Sequence, residues 1–210
     1  MRVLQKLQVP AGILTCAVID ETDSVLFQQF ESGRTQIWSG RYNEPRGSHG
    51  FECDAYDYLP TTHYICLMLH GKVLGGCRLV CADSAQTLPI GEKMYLDDDE
   101  FGIEVSRFFL VMEECKKSGI NCRVFLTFLV QGIVIFFGEH EWVFGYATIH
   151  SSLHAKLECL EIPMCRIGEN HVHAGCQFVP LRLYVSHDAM HHETLPNFGS
   201  RNMSAERIAA

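Results

Sequence analysis

Three features of this 210-residue chain predict a mixed α/β fold, a central sheet with helices packed against it. In "YICLMLHGKVLGGCRLV" two apolar runs are broken by His70, Gly71 and Lys72, the pattern of a β-hairpin. Strand-like and helix-like runs then alternate to the end of the chain, in an order that lays helices on a sheet. Hydrophobic residues make up 47% and charged residues 20%, enough apolar mass for a sizeable core. With no repeat and no linker-like stretch, residues 1–210 are read as one domain.

Taken in order, the opening residues carry only weak patterning. Asp20 or Thr22 is placed to cap a first helix whose apolar positions include Val25, Leu26 and Phe30. "SGRYNEPRGSHG" has the composition of a loop. After the hairpin, "LDDDE" reads as an acidic turn, residues 103–111 as a strand and residues 112 to about 137 as helix. The stretch "FLTFLVQGIVIFF" is shorter than the roughly 20 residues of a membrane span and is interrupted by Gln131 and Gly132, so it is read as a buried helix. "WVFGYATI" is a strand, "SSLHAKLECL" a short amphipathic helix starting near Ser151 or Ser152, and "FVPLRLYV" a last strand. The tail from about Pro196 is polar.

The formal net charge of −8 argues against a general nucleic-acid binder, because phosphate contacts need clustered Lys and Arg. Ten cysteines are scattered without CxxC spacing, and the first residues lack a secretory pattern. The expectation is a cytoplasmic protein with reduced thiols, most of them acting as small buried hydrophobes.

The stretch "FGIEVSRFFL" keeps Glu104 and Arg107 inside an apolar strand, as either a structural ion pair or a chemical site. On a regular strand Glu104, Ser106 and Phe108 share one face and Arg107 takes the other. If both charges serve one site, the strand must bulge or twist between them.

Five pieces, in order, resemble the acyl-homoserine lactone synthases, the autoinducer-making enzymes of bacterial quorum sensing. "RTQIW" is similar to the family's Arg-x-x-x-Phe, with Trp38 in place of Phe after Arg34. "CDAYD" supplies its paired acids as Asp54 and Asp57, and "GGCRL" its strand arginine as Arg78. "EVSRF" is similar to its Glu-x-Ser-Arg-Phe, and "ATIHSSLHAKLECL" to the strand and helix that line its acyl pocket. The likeness spans residues 26 to 186. It departs where the family carries a further Trp, here Tyr42 or Asn43, and at "LDDDE", which replaces an apolar, Pro-containing piece.

The resemblance implies a fold similar to that of the GNAT acyltransferases. It also implies an N-acyltransferase that joins S-adenosyl-L-methionine (SAM), as substrate rather than cofactor, to an acyl thioester. The SAM amine attacks the thioester, and its carboxylate then displaces methylthioadenosine to close the lactone. Glu104 would be the general base, with Ser106 and Arg107 beside it. Arg34, Trp38, Asp54, Asp57, Arg78 and Arg107 would hold SAM, the acids taking its cationic end and the arginines its carboxylate. Phe109, Leu126, Leu129, Ile133, Phe144, Tyr146, Ala147, Thr148, Leu153 and Leu157 would line the acyl chain. The family's 3-oxo-associated Thr corresponds to Ala147 or Thr148, and alignment on Ala147 implies an unsubstituted chain. An acidic acyl carrier protein, or acyl-CoA, would be the donor, docking on Lys116, Lys117, Arg123 and Lys156. An acyltransferase for another amine, such as an amino acid, and a non-catalytic acyl-binding relative are the rival readings.

Eleven histidines invite a metal reading. Without HExxH, and with His150 and His154 alone on one helical face, no metal site is expected.

Overall fold

The computed structural model describes residues 1–96, 102–186, 188 and 190, so most of the acidic turn and the polar tail lie outside the described residues. Its elements run β1 Arg2–Val9, β2 Gly12–Ile19, α1 Ser24–Tyr42, β3 Thr62–Leu69, β4 Lys72–Ala82, β5 Gly102–Leu110, α2 Met112–Lys117, α3 Cys122–Glu139, β6 Phe144–His150, α4 Ser151–Glu158, β7 Met164–Arg166, β8 His171–His173 and β9 Cys176–Tyr184. The result is the predicted mixed α/β fold. The chain divides into two compact units, Met1–Leu79 with Arg107–Phe136, and Val80–Ser106 with Phe137–Ala210, so β4 and β5 each contribute to both.

In the first unit the strand order is β1-β2-β3-β4. The opening residues, weakly patterned as sequence, form the β1–β2 hairpin, and β2 pairs antiparallel with β3 from Leu14↔Leu69 to Ile19↔Tyr64. Most of β1 is exposed or half-exposed, which is why its apolar residues give no clean alternation. Helix α1 begins after Asp23, not after Asp20 or Thr22, and Val25 faces solvent. The helix ends where Asn43 turns left-handed (φ 57°) and its N–H reaches the Trp38 carbonyl.

One stripe of α1 is buried at four-residue spacing: Phe30, Arg34, Trp38 and Tyr42. Phe30 packs edge-on to Phe109 and Tyr64 with ring centroids 5.0 and 5.4 Å apart, in a cluster with Ala17, Ile19, Cys66 and Met68. The glycine pair of "GGCRL" belongs to this packing. A Cβ on Gly76 would stand 2.4 Å from the Ile65 carbonyl oxygen and 2.5 Å from the Phe30 ring. Backbone and a core ring cannot both yield, so Gly76→Ala should lower stability by about 1–3 kcal/mol in urea titration. An unchanged midpoint would contradict this packing.

The single helix expected from residue 112 is two. Gly119 is left-handed (φ 70°), Ser118 Oγ accepts the Ile120 N–H, and Asn121 Oδ1 accepts the Arg123 N–H, which stops α2 and starts α3. By length and composition α3 could cross a membrane, but half of it is buried in protein, and Phe125, Leu129 and Phe136 are fully enclosed.

In the second unit the order is β5-β6-β9-β7, with β8 also on β9. β5 and β6 are parallel, with Glu104↔Tyr146 and Val105↔Ala147 in register, and β6 and β9 are antiparallel. The short strands β7 and β8 carry no periodicity visible in three residues. The ten thiols are free; Cys16, Cys66, Cys77, Cys81 and Cys115 are buried, half of the ten where most were expected, because the others sit on surface turns, short strands and helix ends. Burial pushes the Cys16 and Cys81 thiols up to about 12.

Candidate active site

A buried arginine on the inward stripe of a helix must meet acids, because an unpaired charge in a core is too costly to keep. Arg34, 2% exposed, meets two. Its Nη1 and Nη2 lie 2.7 and 3.2 Å from Oδ1 and Oδ2 of Asp57, a two-pronged pairing. Its Nε lies 2.8 Å from Glu52 Oε2, and its Nη2 also donates to the Glu52 carbonyl.

The paired acids are set by local sequence. Residues Ala55–Tyr58 form a 3₁₀ turn: Asp54 Oδ1 accepts the Tyr56 N–H and Asp57 Oδ2 accepts the Asp54 N–H, both at 2.9 Å. Asp54 and Asp57 are therefore turn acids and arginine partners at once. Arg78, on β4 and 1% exposed, puts Nη1 2.6 Å from Asp54 Oδ1 and 3.1 Å from Asp57 Oδ2. Tyr64 adds a hydroxyl that donates to Asp57 Oδ1 at 3.1 Å.

Arg107 completes the cluster from β5. Its Nη2 is 2.9 Å from Asp54 Oδ2 and 3.7 Å from Glu44, and its Nε is 2.9 Å from Glu52 Oε1. The guanidinium lies 4.8 Å from the centre of the Trp38 ring, and Tyr42 packs against the other aromatic at 4.8 Å. Arg107 sits at φ 51°, a left-handed residue inside a strand, so the regular alternation is broken at this point. The Nε contacts of Arg34 and Arg107 to Glu52 are close ion pairs that are not aligned as hydrogen bonds.

The first unit thus assembles Arg34, Trp38, Asp54, Asp57, Arg78 and Arg107 from four chain segments. It adds two acids that the motifs did not single out, Glu44 and Glu52. Glu52 is fully buried and bridges two arginines; its only sequence signal is its place two residues before Asp54. Four acids face three arginines, a surplus of one negative charge. Asp54 (27% exposed), Arg107 and Glu44 (14% each) form the open edge.

Electrostatics separate two of these acids. At Asp57 burial is the largest influence and opposes ionisation, but the pull of Arg78 and Arg34 and their hydrogen bonds outweigh it and hold the pKa below the usual carboxylate value. At Glu52 burial wins over Arg34 and Arg107, and the pKa is raised. A depressed folded pKa stabilises the fold above the unfolded value near 3.8 and loses that contribution as pH falls through the folded value. Asp57→Asn should therefore cost most stability at neutral pH, and its difference from the parent should shrink only below about pH 4, as read by denaturation at each pH. A cost that is flat across this range would mean that the Asp57 charge contributes nothing.

The second unit holds Glu104, Ser106 and most of the proposed acyl-lining residues. Glu104 is 2% exposed, and its Oε2 accepts the Ile90 N–H at 2.6 Å from a 3₁₀ turn over Pro89–Glu92. Ser106 is buried on the same strand. Tyr146, Ala147 and Leu157 are buried, and Phe144, Thr148 and Leu153 are half-buried. Phe109, Leu126, Leu129 and Ile133 are buried in the first unit. Of the proposed docking cations, Lys117 is paired with Glu114 at 2.8 Å, while Lys116, Arg123 and Lys156 are exposed. Among the described residues no group of three or more His, Cys, Asp or Glu is arranged to hold a metal ion.

No protein-family model matches the chain, and no curated protein matches it by sequence. Solved structures do. A CoA-dependent acyl-homoserine lactone synthase, BjaI, solved with SAM and isopentyl-CoA, superposes with a TM-score of 0.67 at 16% identity, covering 91% of this chain and 97% of its own. The acyl-homoserine lactone synthase LasI superposes at 0.70 and 15% identity, covering 89% and 98%. FeeM, an N-acyl amino acid synthase from uncultured soil microbes, superposes at 0.50 and 14%, covering 82% and 91%. The chain has the fold of the acyl-homoserine lactone synthases.

Proposed function

We propose that the protein is an N-acyltransferase that makes N-acyl-L-homoserine lactone signals from SAM and an acyl thioester. The observation that carries the reading is the open edge of the buried cluster. There a half-exposed carboxylate, Asp54, and a guanidinium, Arg107, lie 2.9 Å apart beside the Trp38 ring. An acid and an arginine side by side match the ammonium and carboxylate of an α-amino acid. The surplus negative charge and the aromatic face suit a sulfonium. BjaI, solved with SAM and an acyl-CoA, shares the fold and supports the same assignment.

In this reading Asp54 and Glu44 on the open edge meet the cationic end of SAM and Arg107 receives its carboxylate, while the buried Arg34, Arg78 and Asp57, expected as direct contacts, hold these groups in place. Glu104 takes the proton from the SAM ammonium, directly or through one water, so that the neutral amine attacks the thioester carbonyl. The Ile90 N–H donates to one oxygen of that carboxylate and orients it. Ser106 or a strand N–H steadies the developing oxyanion. The thiol leaves, an amide forms, and the SAM carboxylate then attacks its own γ-carbon, expelling methylthioadenosine and closing the lactone. Phe109, Leu126, Leu129, Phe144, Tyr146, Ala147, Thr148, Leu153 and Leu157 are assigned to the acyl chain. The donor is acyl carrier protein or acyl-CoA, used in the bacterial cytoplasm.

Mass spectrometry of purified protein with SAM and acyl thioesters tests this. The homoserine lactone fragment together with methylthioadenosine is the expected result. An N-acyl amino acid without lactone would move the assignment to the FeeM-like reaction. No product, together with no thermal stabilisation by SAM, would make the chain a non-catalytic relative.

A further inference from the structure

The Ile90 N–H that orients Glu104 belongs to a loop to which the proposed reaction gives no other role. Residues 84–96 follow β4 and form two 3₁₀ turns, Ala85–Thr87 and Pro89–Glu92. A loop outside the strand ladders must find other partners for its backbone groups. One side chain supplies several of them. Gln86 Nε2 donates to the Gly91 carbonyl at 2.6 Å and to the Met94 carbonyl at 3.5 Å, and its Oε1 accepts the Leu96 N–H at 2.9 Å. A primary amide, with two donor hydrogens and a carbonyl acceptor, makes these bonds at once. The grip is close: a Cβ on Gly91 would stand 2.0 Å from the Gln86 carbonyl oxygen, so glycine is what lets the chain fold back this tightly. Ala85, Leu88 and Ile90 are buried within the same loop.

The second turn connects this grip to Glu104. The first N–H groups of a helical turn have no partner inside it. Pro89, at the first position, has no N–H, and the first bond inside the turn runs from the Gly91 N–H to the Leu88 carbonyl at 2.8 Å. The Ile90 N–H is therefore turned outward by construction, and Glu104 Oε2 takes it at 2.6 Å. Gln86 holds Gly91, the next residue in the chain, and so holds the direction of that N–H.

We propose that Gln86 is a positioning residue for Glu104. By clamping Gly91, Met94 and Leu96 it keeps the Ile90 N–H aimed at the carboxylate, and so sets where the base stands against the amine. The proposal rests on Glu104 being the base. None of the clamp's bonds reaches a residue assigned to SAM or to the acyl chain.

The test is a double-mutant cycle on the full chain. Gln86→Met keeps the side-chain length and loses the clamp's bonds. It should lower kcat for N-acylation about tenfold or more, because a small misplacement of a reacting group suffices, while KM for SAM stays within about twofold. In the Glu104→Gln background the same change should add nothing, since a residue acting through Glu104 has no base left to position. A merely structural residue would lower the rate by the same factor in both backgrounds, and that result would overturn the proposal. So would an unchanged kcat in Gln86→Met where Glu104→Gln is slow. If Gln86→Met fails to fold by circular dichroism, Gln86→Glu takes its place in the cycle, keeping the acceptor for the Leu96 N–H and losing both donations. The Ile90 amide proton, read by NMR, needs no turnover and separates the clamp from the assignment of the base. It should shift in Gln86→Met and in Glu104→Gln, and no shift in Gln86→Met overturns the clamp. Full turnover by Glu104→Gln with the amide shifted in both variants would remove the base and leave the clamp in place.

Discussion

Glu104→Gln should lower the rate of N-acylation by about 10²–10⁴-fold while SAM binding stays within about twofold, the signature of a lost general base. The amide keeps the size of the carboxylate and can still accept the Ile90 N–H through its carbonyl oxygen, so the 3₁₀ turn at Pro89–Glu92 has no reason to move. What it cannot do is take a proton. Two measurements separate this from a structural effect: calorimetry with SAM, and the pH–rate profile, whose acidic limb should vanish in the variant. Unchanged turnover would remove Glu104 as the base. A fall in turnover with an equal fall in SAM affinity would make it a binding group.

The largest stability effect is expected at Arg34. Arg34→Ala removes the two-pronged partner of Asp57, which keeps Arg78, and one of two arginine partners of Glu52, leaving a fully buried Glu52 beside Arg107. Breaking a buried pair from one side costs about 3–5 kcal/mol, because the remaining charge keeps its desolvation penalty. Adding Glu52→Gln to Arg34→Ala should recover part of the loss, and so should lowering the pH, since burial already raises the Glu52 pKa. A loss below about 1 kcal/mol would place the cluster in the class of screened surface pairs.

What was legible in the sequence follows physical lines. The hairpin of β3 and β4, the strand β5, the strand β6 and its helix α4 all carry periodicity or turn residues over lengths that make a pattern. Three-residue strands such as β7 and β8 carry none. The break between α2 and α3 was written in Ser118, Gly119 and Asn121, but the apolar runs on either side outweighed it. At the site, Arg34, Asp54, Asp57 and Arg78 were found through the order of short motifs, and the structure brings them into ion-pair contact. Glu52 and Glu44 were missed because a single acid in a polar loop reads as solvated. Only the path of the loop, where the backbones of Arg46 and Glu52 form an antiparallel β-bridge and Thr35 Oγ1 accepts the Glu52 N–H, turns that acid inward. The bulge condition on "EVSRF" was a matter of parity, and the left-handed Arg107 meets it.

The buried thiols carry a consequence for handling and for redox chemistry. A thiol whose pKa is pushed to about 12 holds a vanishing thiolate fraction at neutral pH, so Cys16 and Cys81 are poor nucleophiles and poor targets for peroxide or alkylating reagents. Cys159, on the turn after α4, is the most exposed, while Cys53, Cys122, Cys165 and Cys176 are half-buried. Oxidative damage should start there, and a maleimide dye should label it first. That gives the second unit a first reporter position, ahead of the half-buried Cys165 and Cys176, while the buried thiols stay chemically silent.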